Sequence, residues 1–385
     1  MNKVLWLASW YPNEREPFSG DFIQRQAEAV ALFQPLKILF VGKRPETPSH
    51  SSALIIESKS ANLKAFILYY ESNRNFLSKL NSLFVYLKKH LEIIGQFRKN
   101  NEMPDLVHVH VAMKAGLIAL FLKWKYKIPY VLTEHWSGYY PQSADSLFNK
   151  SIFERYLTKR ILKNASLILP VSEALGNQIN QYWVKTSFQK ILNVVNTLFF
   201  FPAPSCPGFF RFIHISTLLY PKNPEGIIRV FAELLKSGMD AELVLVGPGS
   251  PELIQTLKTS GLPEDKIQCT GEIPYEAVGA ELRKSSALVM FSFYENMPCV
   301  ILEALCTGIP VIATRVGGLP EVIGESNGIL IQQGNEKELL EAMKKMIKNY
   351  ADYDKEKISR DAVEQFSYET IGKKIVQLYD SVLNK

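Results

Sequence analysis

The chain has 385 residues, 47% hydrophobic and 21% charged, a balance that excludes a disordered protein and leaves room for two ordinary domains. No apolar run approaches the ~20 residues that span a bilayer, and the opening MNKVLWLASWYPNERE lacks a signal-peptide cleavage site, so a cytoplasmic chain is expected. The net charge of +6 hides an asymmetry, because residues 1–200 carry 25 Lys and Arg against 14 Asp and Glu, and the remainder 19 against 24.

In chain order, Val4 to Trp10 reads as an apolar strand, followed by the loop YPNEREPFSGDF. Gly20 and Asp21 then open an amphipathic helix to about Phe33, broken by Pro35. Strand, glycine-bearing loop and helix give the outline of a nucleotide-binding unit without the full G-x-G-x-x-G. Lys37 to Gly42 is a second strand, and Ser51 to Tyr70 holds one or two more. From Phe76 to Phe97, residues Leu77, Leu80, Phe84, Leu87, Leu91 and Ile94 recur at helical spacing among Lys79, Lys88, Lys89, Arg98 and Lys99. Such a helix packs its apolar stripe on a sheet, the alternative being an anionic membrane surface.

DLVHVHV, Asp105 to Val111, is a strand with His108 and His110 on one side. Strand Pro129 to Thr133 runs into Glu134, His135 and Trp136, which puts histidines at two strand ends. A helix over Ile152 to Leu162 and a strand over Ser166 to Val171 follow, and Ser172 caps the next helix. The segment TLFFFPAPSCPGFF, dense in proline, marks a linker at 197–208. Four cysteines, Cys206, Cys269, Cys299 and Cys306, have neither CxxC nor metal-ligand spacing and are expected to be reduced.

A second alternation of strand and helix starts at Phe210 to Ser216. Strand Leu243 to Gly247 leads into GPGSPEL, which lacks the third glycine of a dehydrogenase fingerprint. The most informative stretch runs from Ser285 to Ile323. It reads as a buried strand, Ala287 to Ser292, then a loop with Glu295, then a helix with Pro298 in its first turn and Glu303 inside. Gly308 stops that helix, Ile309 to Thr314 forms a strand, and Gly317 and Gly318 follow. Open parallel sheets bind ligands at the carboxyl ends of their strands. A helix start there suits phosphate, and carboxylates accept hydrogen bonds from sugar hydroxyls. The combination describes a nucleotide-sugar site. Helices are expected at about Glu336 to Met346 and Tyr368 to Leu383.

The Glu-x7-Glu spacing of Glu295 and Glu303, with EALCTGIPVIAT and GGLPEVI after it, resembles the retaining GT-B glycosyltransferases of family GT4. The resemblance implies an α/β chain of two Rossmann-like, doubly wound domains facing across a cleft. Residues 1–200 would form the acceptor side, 209–366 the nucleotide-sugar domain, and about 367–385 would pack back on the first. HISTLLYPKNPEGIIRVF aligns Lys222 with the family's diphosphate lysine. The arginine that usually precedes it is replaced by Ser216 and Thr217, with Arg315 as a candidate substitute. The same resemblance implies that Glu303 takes the ribose hydroxyls and Glu295 the transferred sugar. Asn296, Met297, Pro298 and Gly271 would line the donor site, and Gly20 would approach the phosphates. It puts His110 near the transferred sugar, and Glu134 and His135 on the acceptor side.

The expected reaction is transfer of a sugar from a UDP- or GDP-linked donor, with retention and with no metal or other cofactor, to a glycan or lipid-linked acceptor of surface polysaccharide synthesis. The alternatives are a nucleotide-sugar epimerase or a noncatalytic scaffold of the same fold. The basic front half fits an anionic partner, including an anionic membrane surface on its inner face, or simply solvated lysine-rich helices. Nucleic acid is not expected, because no recognised binding motif accompanies the charge.

Overall fold

The computed structural model describes residues 2–45, 54–71, 76–203 and 209–384. It divides into two compact units, Met1–Val194 with Tyr368–Lys385, and Val195–Ser367.

The first unit is built on a seven-stranded sheet. Its strands are β1 (Val4–Ala8), β2 (Leu36–Lys43), β3 (Leu54–Ser60), β4 (Leu63–Tyr70), β5 (Leu106–His110), β6 (Tyr130–Glu134) and β7 (Leu167–Pro170). Their order is β3-β4-β2-β1-β5-β6-β7, parallel throughout except for β3, which pairs antiparallel with β4. Every residue of β1, β5 and β6 is buried, as expected of a parallel sheet covered on both faces. The covering helices are α1 (Asp21–Ala31), α2 (Phe76–Lys99), α3 (Ala115–Tyr126), α4 (Ile152–Asn164) and α5 (Glu173–Tyr182). The last helix of the chain, Tyr368–Leu383, belongs to this unit as well.

That helix buries Ile371, Ile375, Leu378 and Tyr379 in the core shared with Trp6, Ile23 and Ile38, the spacing of one apolar helix face. Gly372 lets it lie against α1, since a Cβ there would meet the Ala29 carbonyl oxygen at 2.3 Å. Helix α2 packs on the sheet, but with a different face from the stripe read in the sequence. Tyr86, His90, Ile93, Ile94 and Phe97 are buried, while Phe84 and Leu91 are exposed. The reason is that His90 behaves as an apolar ring. Burial lowers its pKa to about 4, and its Nδ1 lies 2.9 Å from the Tyr86 carbonyl oxygen. The side chains of Leu77 and Leu80 lie outside the described residues.

The second unit has six parallel strands, β8 (Phe210–Ile215), β9 (Ala241–Val246), β10 (Ile267–Gly271), β11 (Ala287–Met290), β12 (Val311–Thr314) and β13 (Gly328–Ile331). They are ordered β10-β9-β8-β11-β12-β13. Helices α6 (Pro224–Lys236), α7 (Pro251–Thr259), α8 (Tyr275–Arg283), α9 (Cys299–Cys306), α10 (Glu336–Lys348) and α11 (Lys355–Phe366) connect and cover them. The expected linker is not free chain at its start. Phe200 is fully buried, 5.0 Å from the Tyr275 ring, and Arg283 Nη1 donates to the Phe199 carbonyl. The second unit already includes this stretch, with Phe200 as its buried anchor and Phe201 exposed, while 204–208 lie outside the described residues.

Setting edge strand β3 aside, both sheets have the doubly wound order, with the chain reversing direction between β1 and β5 and between β8 and β11. Such switch points open a crevice at the carboxyl ends of the strands. Among the described residues no helix is long and apolar enough to cross a membrane.

Candidate active site

In the second unit the switch point is flanked by the loops after β8 and β11, and these carry Lys222 and Glu295. Lys222 Nζ donates to Glu295 Oε1 at 2.5 Å. The side chain of Glu295 is 8% exposed and that of Lys222 20%, so the pair is largely shielded from water and stronger than a surface ion pair.

The backbone beneath this pair is tied at several points. Phe293 N donates to the Pro221 carbonyl at 2.8 Å, and the Tyr220 and Phe293 rings stack at 5.7 Å. Thr314 Oγ1 donates to the Ser292 carbonyl at 2.7 Å, and Gly318 N to the Asn296 carbonyl at 2.8 Å. Gly317 adopts φ +53°, and a Cβ on it would sit 1.8 Å from the Glu295 carbonyl oxygen. The glycine pair after β12 therefore clamps the backbone that presents Glu295. The close contact these glycines make is with the protein's own chain.

Ser216 and Thr217 stand where the family arginine was expected, and Ser216 is fully used. His214 Nδ1 and Nε2 lie 2.8 Å from the Val289 carbonyl oxygen and from Ser216 Oγ, and Ser216 Oγ accepts from Leu218 N at 2.9 Å. The carbonyl can only accept, so His214 carries its proton on Nδ1 and takes the serine proton at Nε2. Burial, with the Lys222 charge, lowers its pKa to about 4. Arg315, the candidate substitute, is exposed, and its amide continues the β12–β13 ladder to the Ile331 carbonyl at 2.8 Å.

Helix α9 begins one residue later than expected, at Cys299, with Pro298 as the residue before it. Proline lacks the N–H that the first turn leaves unpaired, so the shift costs nothing. Its first amides have no intrahelical acceptor and carry the positive end of the helix dipole. Asn296 and Met297 are buried beside this turn. Glu303 sits inside α9 at 4% exposure, close enough that its charge, after burial, helps raise the Cys306 thiol pKa. Gly271 ends β10 at φ +73°, and its carbonyl accepts from Gly247 N at 3.0 Å.

In the first unit the expected residues have mixed fates. Gly20, at φ +71°, is required by its own loop. A Cβ there would meet the Trp10 carbonyl carbon at 2.5 Å and the Tyr11 amide at 2.7 Å. His110 is fully buried at the end of β5, its ring 4.1 Å from Trp6 and 4.2 Å from His108. Burial, then His108 and His135, hold its pKa well below the usual range. Aromatic stacking thus covers the imidazole that was expected at the transferred sugar. Its Nδ1 reaches 3.5 Å to His135 Nε2, and His135 lies 4.7 Å from the Phe22 ring. Burial pushes His135 down to about 3, against a hydrogen bond with Asn193.

Glu134 requires a correction. It is fully buried, and its carboxylate accepts from the amides of Ala112, His135 and Trp136, each at 3.1 Å, and from Tyr139 Oη at 2.9 Å. With its acceptor sites filled it has nothing to offer an acceptor hydroxyl. It ties the loops after β5 and β6 together. Burial raises its pKa, and these hydrogen bonds oppose the rise.

Sequence reasoning missed a cluster on the same edge of the first unit. Arg15, Lys43 and Lys114 line one cavity with Tyr70 and Tyr86. The available signal was a lysine at the carboxyl end of β2 and another just after β5.

Residues 201–365 match the family described as glycosyl transferases group 1, and residues 50–197 match glycosyltransferase family 4. A Bacillus subtilis glycosyltransferase named for teichuronic acid biosynthesis is 27% identical, covering 96% of this chain and 93% of its own. An uncharacterized glycosyltransferase of Methanocaldococcus jannaschii is 30% identical over 66% of this chain and 69% of its own. Among solved structures, a sucrose-phosphate synthase of Thermosynechococcus elongatus superposes with a TM-score of 0.80 at 20% identity, with 99% of each chain covered. The Anabaena protein HepE in complex with UDP gives 0.72 at 17% identity over 99% of this chain and all of its own.

Proposed function

Because this chain belongs to the group 1 glycosyl transferases, of the GT4 type and the two-domain GT-B fold, we propose that it moves a hexosyl group from a UDP-linked donor to a glycan or lipid-linked acceptor, with retention, in surface polysaccharide synthesis. The observation that carries the reading is the Lys222–Glu295 pair at the switch point of the second unit, with Glu303 buried in the adjoining helix. UDP in HepE and the teichuronic acid name of the Bacillus relative support the donor and the pathway class.

In the proposed cycle Lys222 neutralises Glu295 while the donor is absent. A diphosphate carries more charge than one carboxylate and draws the ammonium toward itself. Glu295 is then left to accept hydrogen bonds from hydroxyls of the transferred sugar, and Glu303 accepts those of the ribose. As the sugar–phosphate bond breaks, charge grows on the diphosphate. Lys222 and the first amides of α9 stabilise it, which is the largest catalytic term for a leaving group already this good. These fixed positive groups do the work without a metal ion. The acceptor hydroxyl gives up its proton to the departing phosphate oxygen on the same face. The protein acts in the cytoplasm and meets membranes only peripherally.

A donor screen tests this. Purified protein should slowly hydrolyse one UDP-sugar and transfer it when an acceptor extract is added, in the presence of a chelator. Conversion of the donor to its epimer without acceptor, or no turnover of any nucleotide sugar, would refute the reading.

A further inference from the structure

A cavity of about 320 Å³ opens at the carboxyl ends of β1, β2 and β4 in the first unit, with Arg15, Lys43 and Lys114 among its lining residues. Neither Lys43 nor Lys114 has a carboxylate partner among the described residues, whereas Arg15 has Glu16, also lining the cavity, at 3.7 Å. Partial burial and the nearby Lys43 charge lower the Lys114 pKa, so the two like charges feel each other across the cavity they both line. The Tyr86 residue is 4% exposed, its ring lies 5.9 Å from Lys114 Nζ, and its buried hydroxyl has no hydrogen-bond partner among the described residues. An orphaned buried hydroxyl is costly to leave unpaired, and Tyr86 lines the same cavity.

The walls are held in place. Ser9 Oγ lies 3.0 and 2.8 Å from the carbonyl oxygens of Val111 and Met113. Asn13 Oδ1 accepts from the amides of Arg15 and Glu16 at 3.0 and 3.3 Å, fixing the turn that presents Arg15.

We propose that this cavity binds a phosphoryl group carried by the acceptor, seated between Lys43 and Lys114, with the Tyr86 hydroxyl donating to it and Arg15 at the rim. Three cations against one carboxylate leave two positive charges, which match a phosphate monoester dianion. A uronate carboxylate would leave one lysine unpaired, and a neutral sugar would leave both. The inference rests on the glycosyltransferase reading and names the acceptor class for it.

The test is calorimetry on the full chain with the donor seat saturated by UDP, so that phosphate cannot enter there. Inorganic phosphate and glucose 6-phosphate should bind, glucuronate at least tenfold more weakly, and glucose without detectable heat. Lys43→Gln and Lys114→Gln should each weaken the phosphate ester about tenfold, as loss of a charge-assisted bond implies, with UDP affinity unchanged. Co-sedimentation with phosphatidylcholine vesicles containing phosphatidic acid distinguishes the source. Vesicle binding lost in the same variants assigns a lipid-borne phosphoryl group, and binding of the soluble ester alone assigns a free sugar phosphate. If glucose binds as tightly as its phosphate, if both variants retain wild-type affinity, or if neither soluble phosphate nor vesicles bind, the inference is overturned. Failure of UDP itself to bind would instead strike the donor reading.

Discussion

Lys222 Nζ meets Glu295 Oε1 at 2.5 Å across the switch point of the second unit, so the residue expected to hold diphosphate and the residue expected to hold sugar are partners before any ligand arrives. Each holds the other in position in a half-dry setting. Glu295→Ala should therefore lower kcat by a factor of about 10²–10³, or about 2–4 kcal/mol, while UDP still binds. Lys222→Met should lower kcat, weaken UDP binding and lower the melting temperature, since it strands a carboxylate at 8% exposure. Steady-state kinetics beside calorimetry separate these outcomes.

Gly317 permits this geometry. Gly317→Ala places a methyl group where the Glu295 carbonyl oxygen stands and forces an L-residue to φ +53°. It should depress kcat at least tenfold with a smaller change in UDP affinity. Gly324→Ala, at a position with open space around its Cβ, is the control and should leave kcat unchanged.

Trp6 Nε1 donates to Tyr379 Oη at 3.0 Å, and Tyr379 Oη lies 2.6 Å from His108 Nδ1. His108 Nε2 lies 2.7 Å from Thr133 Oγ1. Tyr379→Phe removes the hydroxyl in the middle of this buried chain and leaves Trp6 and His108 each short of a partner. A stability loss of about 2–6 kcal/mol is expected, at roughly 1–3 per orphaned group. Chemical denaturation followed by Trp fluorescence measures it.

His90 and His214 both have pKa values lowered from 6.5 to about 4, chiefly by burial. The folded state thus binds fewer protons than the unfolded one between those values, so their contribution is present above about pH 6.5 and is lost as pH falls toward 4. Each is worth on the order of 3 kcal/mol at neutral pH. Denaturant midpoints should be flat from pH 7 to 8 and fall steadily below 6.5, and His214→Gln should make that fall shallower without abolishing it, since His90 still contributes. A midpoint that does not change down to pH 5 would contradict the assignment.

Most of the fold was legible because buried parallel strands leave apolar runs and helices leave caps. Ser172, expected as a cap, accepts from Leu175 N at 3.1 Å, and the final helix spans Tyr368–Leu383 as its periodicity indicated. The stripe on α2 misled because a neutral buried histidine has no apolar signature. In the candidate site, spacing and resemblance put Glu295, Glu303 and Lys222 forward, and the structure brings Lys222 to Glu295. Glu134 was misread, since nothing in T-E-H distinguishes a carboxylate facing solvent from one wrapped in three amides. The Gly317 clamp was hidden for a related reason: a glycine shows that something approaches closely, but only coordinates show that it is the Glu295 carbonyl.

The most direct test of the central claim is calorimetric titration of UDP, GDP and ADP into the wild-type chain and Glu303→Ala. Micromolar binding of UDP, weakened at least tenfold in the folded variant, is the predicted result. A folded wild-type protein that takes up no nucleoside diphosphate, or a variant that binds as tightly as the parent, would contradict it.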